Sequence, residues 1–122
     1  MIAVIFEVRP AEGRKSDYID RAAALRAELE CIDGFISVER FQSLSEPDKL
    51  LSLSFWRDEE AVARWRNHAG HRATQAAGRR EIFRDYRLRV AAVSRDYAMN
   101  ARRDEAPPDS RMAHDAGEQE RS

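Results

Sequence analysis

A chain of 122 residues bounds the protein to one domain with one modest core. Its 21 basic and 22 acidic residues leave a formal net charge of -1, which excludes an overall electrostatic drive toward nucleic acid or an anionic membrane. The single cysteine, Cys31, cannot close an internal disulfide, so a reducing cytoplasm is the expected compartment, and no apolar run approaches the length of a membrane span.

The first residues, MIAVIFEVRP, start as a strand and lack the basic region and small-residue cleavage site of a secretory leader, so the mature chain is expected to begin at Met1. Ile2 to Val8 is dense in β-branched and aromatic residues, and Pro10, which has no N–H for a ladder, marks the exit. After the turn Ala11-Glu12-Gly13 the period changes. Tyr18, Ile19, Ala22, Leu25, Leu29 and Ile32 recur at helical steps from Arg14 onward, and Asp33-Gly34 stops the pattern, with Gly34 suited to a left-handed C′ position.

Phe35 to Gln42 alternates, with Phe35, Ser37, Glu39 and Phe41 on one face and Ile36, Val38 and Arg40 on the other. Ser45 to Lys49, with Pro47 and Asp48, reads as a hairpin loop, and Leu50 to Trp56 as the antiparallel partner strand, with Leu51, Leu53 and Phe55 on one face. Asp58 is placed to cap the next helix, and Glu59 and Glu60 suit its positive end. That helix is expected to run to about Asn67 and on toward Gly78, with a break at Gly70. Ile82 to Tyr97 reads as a long strand, with Tyr86, Leu88, Val90 and Ala92 on one face.

Residues 98–122 change character. Pro107-Pro108, many charges and few large apolar side chains predict a disordered or partner-draped tail beyond a domain of residues 1–97. The order β-α-β-β-α-β predicts an α+β, ferredoxin-like fold with a four-stranded antiparallel sheet. Helices can cover only one face of that sheet. Apolar residues on both faces predict a homodimer paired through the sheets, and a charge at Val90 is expected to weaken the pairing.

The most informative stretch runs from Phe55 to Arg79. Trp65, His68, His71, Arg72 and Gln75 follow one another at three- and four-residue spacings, on overlapping faces of a helix. A large aromatic, two imidazoles and a carboxamide so arranged can line a small-molecule pocket; they equally suit packing plus solvated surface. The histidine pair has no carboxylate or cysteine at standard ligand spacing, so no metal is expected. Arg79, Arg80, Arg84, Arg87, Arg89 and Arg95 make the later half basic, but Glu81, Asp85 and Asp96 interrupt the run, which favours ion pairs over nucleic-acid binding. Glu7 needs a partner if it points inward, and Arg87 or Arg89 is the candidate.

With that order of elements, the FWRDEEAVARW strand-to-helix junction, the HRATQAAGR segment and the RVAAVSRDY terminal strand resemble the antibiotic biosynthesis monooxygenase superfamily over residues 1–97. The resemblance implies a dimeric α+β barrel with a pocket in each subunit between sheet and helices. It implies a monooxygenase, with oxygenation of small aromatic or quinol-like substrates without metal or flavin. Haem-degrading members keep an asparagine on the first strand, a tryptophan on the second helix and a histidine ten residues later. Here Trp65 matches, Gln75 stands in the histidine position and no asparagine occurs in residues 1–10, so no haem is expected. A non-enzymatic ligand-binding or stress-associated dimer is the alternative. Within the oxygenase reading His71 is the expected catalytic base, with Trp65, Gln75, His68 and Asn67 near the substrate.

Overall fold

The computed structural model describes residues 1–68, 72–73, 76 and 81–121, the last four by backbone alone. Four strands form one antiparallel sheet: β1 Ile2–Pro10, β2 Phe35–Gln42, β3 Leu50–Trp56 and β4 Phe83–Ala92, in spatial order β2-β3-β1-β4. Helices α1 Lys15–Ala24 and α2 Arg26–Glu30 lie between β1 and β2 in the chain, and α3 Glu59–Arg66 follows β3. This is the ferredoxin-like α+β arrangement expected from the order of elements. The sheet of one chain is open, with β2 and β4 as its edges, so a barrel would need a second copy.

The helical pattern from Arg14 to Ile32 is two helices and not one. Leu25 ends α1 and begins α2 with ψ near -10°, and its N–H bonds back to Arg21 O at 3.3 Å. Such a ψ tightens the chain toward 3₁₀ geometry and bends it while the apolar period continues through. The last turn of α2 closes with Cys31 N–H to Glu28 O and Ile32 N–H to Leu29 O, which satisfy carbonyls the helix end leaves open. Gly34 follows with φ +91°. A Cβ there would stand 2.6 Å from the Ala61 Cβ of α3, so the glycine allows both the turn and the close approach of the helix.

Asp58 caps α3 as expected, its Oδ1 accepting from Ala61 N–H at 2.9 Å. The loop between β2 and β3 is held by Gln42, whose Nε2 donates to the carbonyls of Pro47 and Lys49 at 3.0 Å. Strand β4 is shorter than its β-rich sequence, because Ala92 pairs with Ile2 and β1 offers nothing further.

Side chains at Ile2, Val4, Phe6 and Val8 face the helices, together with Leu50 and Trp56 of β3 and Val38 of β2. Two apolar clusters result: Val8, Tyr18, Leu50 and Ile82 at one end, Leu29, Trp56, Ala61 and Val62 at the other. Simple alternation fails at the start of β2. A bulge between Phe35 and Ser37 puts Phe35 opposite Trp56, with their rings 5.3 Å apart, and leaves Ile36 exposed. Val90 also lies on the helix-facing side, in register with Val4, so it is not a residue through which sheets would pair. The other face carries Ile5, Leu51, Leu53 and Phe55 of the central strands and Phe41 of β2. Glu7 on that face pairs with Arg89 at 3.3 Å, one of its two expected partners, and with Lys49 at 3.6 Å.

The chain divides into two compact units, Met1–Ala92 and Val93–Ser122. The second carries order that its composition does not announce: a 3₁₀ turn, Arg103–Glu105, and a helix, α4 Pro108–Arg121. Pro108 opens α4, where its fixed φ suits the first turn and its missing N–H costs nothing. Glu105 accepts from the Asp96 N–H at 3.1 Å and pairs with Arg102.

Candidate functional site

The site begins with two small residues. Along the helix-facing side of β3 the sequence runs Leu50, Ser52, Ser54, Trp56. A serine where a core strand usually carries a branched aliphatic residue leaves volume unfilled. Register then aligns two rows across the sheet. One runs Arg40, Ser52, Phe6, Leu88, and the next runs Val38, Ser54, Val4, Val90. These eight side chains floor a cavity of about 240 Å³. Tyr18 and Ala22 of α1, Leu25 at the junction of α1 and α2, Leu29 of α2 and Val62 and Trp65 of α3 form its roof.

Aromatic rings gather at both ends. At one, Trp56 and Trp65 lie 6.5 Å apart with planes 27° from parallel, and His68 stacks on Trp65 at 5.6 Å. The indole N–H of Trp56, a residue only 1% exposed, donates to Ser54 Oγ at 2.9 Å, which meets the polar demand of both. At the other end Phe6, Tyr18 and Phe83 meet edge to face or tilted, with centroids 5.8–6.5 Å apart.

The polar groups of the cavity are few. Ser52 and Ser54 lie on the floor, and Arg40 projects from β2 beside Tyr18. Arg40 Nε is buried without a hydrogen-bond partner. Burial pushes the Tyr18 phenol above its ordinary value, and the charge of Arg40 works against that rise. Arg21 and Arg66 contribute to the lining from exposed positions.

Of the expected site residues, Trp65 is in the cavity wall. His68 is half-buried and reaches the site through its stack on Trp65. Asn67 ends α3, exposed, with its Nδ2 donating to Ala63 O at 2.8 Å and its Oδ1 accepting from Arg72; the structure does not bring it to the cavity. His71 and Gln75 lie outside the described residues. Among the described residues no group of three His, Cys, Asp or Glu side chains gathers as a metal site, and no helix is long and apolar enough to cross a membrane.

Tyr18, Arg40 and the two serines are the residues that reading the sequence missed. Their signal was present. Serines sharing the Trp56 face of LLSLSFW mark a hollow, and a cation on the Val38 face of β2 marks a polar group turned toward the helices.

The family model described as antibiotic biosynthesis monooxygenase matches residues 1–77. The chain is similar to the Jasmonate monooxygenase ABM of Pyricularia oryzae, with 48% identity over 100 residues. That match covers 82% of this chain and 46% of the relative, so the chain spans less than half of the relative's length. It is also 36% identical over 96 residues to an uncharacterised protein, YqjZ, of Bacillus subtilis, covering 76% of this chain and 79% of that one. Among solved structures, Rv0793 from Mycobacterium tuberculosis aligns with a TM-score of 0.71 at 18% identity, over 80% of this chain and 98% of the other; the likeness is one of fold.

Proposed function

The chain belongs to the antibiotic biosynthesis monooxygenase family, and from that membership we propose that it is a monooxygenase acting on a small aromatic or quinol-like substrate between its sheet and its helices. In this reading it works as a cytoplasmic homodimer. The observation that carries the proposal is the hollow over Ser52 and Ser54, walled by Trp65, Phe6 and Tyr18. Apolar and aromatic side chains make up most of its lining.

Such an apolar lining suits oxygenation in which the substrate is its own reductant. Loss of a phenolic or enolic proton gives an electron-rich anion, which passes an electron to dioxygen. The resulting pair recombines before either radical meets solvent. In a substrate with an activated CH₂, one oxygen atom ends in the new carbonyl and the other leaves as water, with all electrons drawn from the substrate. The protein's part is to bind, exclude water and take the proton. His71 is the proposed base, from its place in the sequence three residues beyond His68, whose ring stacks on the cavity wall. Trp65 supplies area for stacking.

The test is oxygen uptake without added flavin or metal, across anthrone-like and hydroquinone compounds and jasmonate, for which the Pyricularia oryzae relative is named. Turnover should fall by roughly 10²–10⁴-fold in His71→Ala, the range of a lost general base. Trp65→Phe should raise KM more than it lowers kcat. Uptake on none of these compounds, with binding retained, would make the chain a ligand-binding dimer instead. Unchanged turnover in His71→Ala would remove that residue from the mechanism.

A further inference from the structure

Arg40 is a charge without a counterpart. Arg9, Arg57, Arg84 and Arg89 each rest on a carboxylate, whereas Arg40 pairs with none among the described residues. Its Nε is buried at the cavity without an acceptor, and no carboxylate is among the residues lining the cavity. Arg40 as a whole is half-buried, but leaving its Nε–H in an apolar chamber without an acceptor is costly.

The groups around Arg40 are donors as well. The Tyr18 oxygen accepts a hydrogen bond from the Arg40 side chain, and burial pushes the phenol above its ordinary value, so its proton stays in place as an O–H donor. Ser54 already accepts from Trp56, and Ser52 stands directly across from Arg40 in the sheet register. Arg21 and Arg66, exposed on the lining, add positive potential toward solvent. A donor-rich, acceptor-poor corner in an otherwise apolar cavity is complementary to an anion with a hydrocarbon body.

We propose that Arg40 and Tyr18 form an anion subsite, and that the compound this cavity takes is an apolar monocarboxylic acid whose carboxylate meets them while its body lies against Phe6 and Trp65. The proposal rests on the reading of the cavity as the substrate chamber. A carboxylate fits better than a phosphate. The planar guanidinium fork matches two carboxylate oxygens, and the single positive charge of Arg40 balances one negative charge, whereas a dianion would bring a second charge into an apolar lining.

The experiment is equilibrium binding, read by tryptophan fluorescence and calorimetry, so it does not depend on turnover. The probes are 3-phenylpropanoate, its methyl ester and phenyl phosphate. On the unaltered protein the acid should bind at least about tenfold more tightly than the ester, and more tightly than the phosphate. Arg40→Met should bring the acid down to the ester's affinity and leave the ester within about twofold, Arg40→Lys should keep part of the preference, and Tyr18→Phe should lose part of it. The comparison of acid with ester needs no variant, so it stands even if Arg40→Met folds poorly. Equal binding of acid and ester, both lost in Ser52→Leu, would overturn the subsite and leave the chamber. Tighter binding of phenyl phosphate would overturn the assignment to a carboxylate. Binding of neither acid nor ester would overturn the chamber reading and the subsite with it.

Discussion

At Ser52 the floor of the cavity carries a hydroxymethyl group where a leucine would take up part of the hollow, and two residues on Ser54 does the same. The two serines differ in what they hold. Ser54 accepts the buried indole N–H of Trp56 at 2.9 Å. Ser54→Ala should therefore destabilise the protein by about 1–3 kcal/mol, measured by urea denaturation, because an indole donor is left buried and unmet. Ser52→Leu should act on function and spare the fold. It places apolar volume into space already empty, so the melting temperature should hold or rise while ligand affinity falls by at least about tenfold. A lower melting temperature with undiminished binding would show that the side chain does not enter the chamber. Residue by residue, the site was half legible. Trp65 announced itself as a large aromatic on a helix whose start is capped by Asp58. Arg40 and Tyr18 sit on different elements and become neighbours only once β2 is paired and α1 is packed over the sheet, which no local pattern records.

The junction from β3 into α3 is where the elements are held together most visibly. Arg57 donates to both oxygens of Asp33, at 3.1 and 3.2 Å, and to Asp58 Oδ2 at 3.1 Å, joining the turn after α2 to the start of α3. Arg57 N–H also bonds Gly34 O at 2.7 Å. The Arg57 guanidinium holds the Asp33 carboxyl below its usual range; Asp58 is held down first by the Ala61 N–H it caps and then by Arg57. The sign follows from linkage. A carboxyl whose folded pKa is depressed favours the fold fully above its unfolded value, about 3.9, and loses that contribution as pH falls through the lower folded value. Arg57→Met should consequently narrow the difference in melting temperature between pH 6 and pH 3 without abolishing it, since the Asp58 cap bond remains. Both carboxyls are exposed, so added salt should narrow it too. An unchanged difference in the variant would mean that Arg57 does not couple these carboxyls to folding. The cap was readable because Asp58 and Ala61 are three residues apart. The Asp33–Arg57 bond spans 24 positions and was not. The bend at Leu25 and the bulge before Ser37 escaped for a related reason: each alters backbone geometry while the apolar pattern runs on across it.

For the whole molecule, the unit Met1–Ala92 places α1, α2 and α3 on one face of a four-stranded sheet and, among the described residues, no helix on the other. That face is not polar. Ile5, Leu51, Leu53 and Phe55 fill its two central strands, and Phe41, 41% exposed, extends the surface toward the edge. Glu7, with Arg89 and Lys49, gives it charges of both signs. An apolar surface bordered by paired charges is suited to meeting its own copy across a two-fold axis, where each acidic group can face a basic one. We therefore expect light scattering at micromolar concentration to give twice the 14.0 kDa mass of the chain. The two faces separate the causes cleanly. Leu53→Asp puts a charge on the helix-free face and should shift the protein toward the monomer mass with its helical content retained. Val90→Asp puts the same charge in the cavity wall and should impair ligand binding while leaving the mass unchanged. A monomer mass for the unaltered protein, or dissociation by Val90→Asp and not by Leu53→Asp, would place the pairing surface elsewhere.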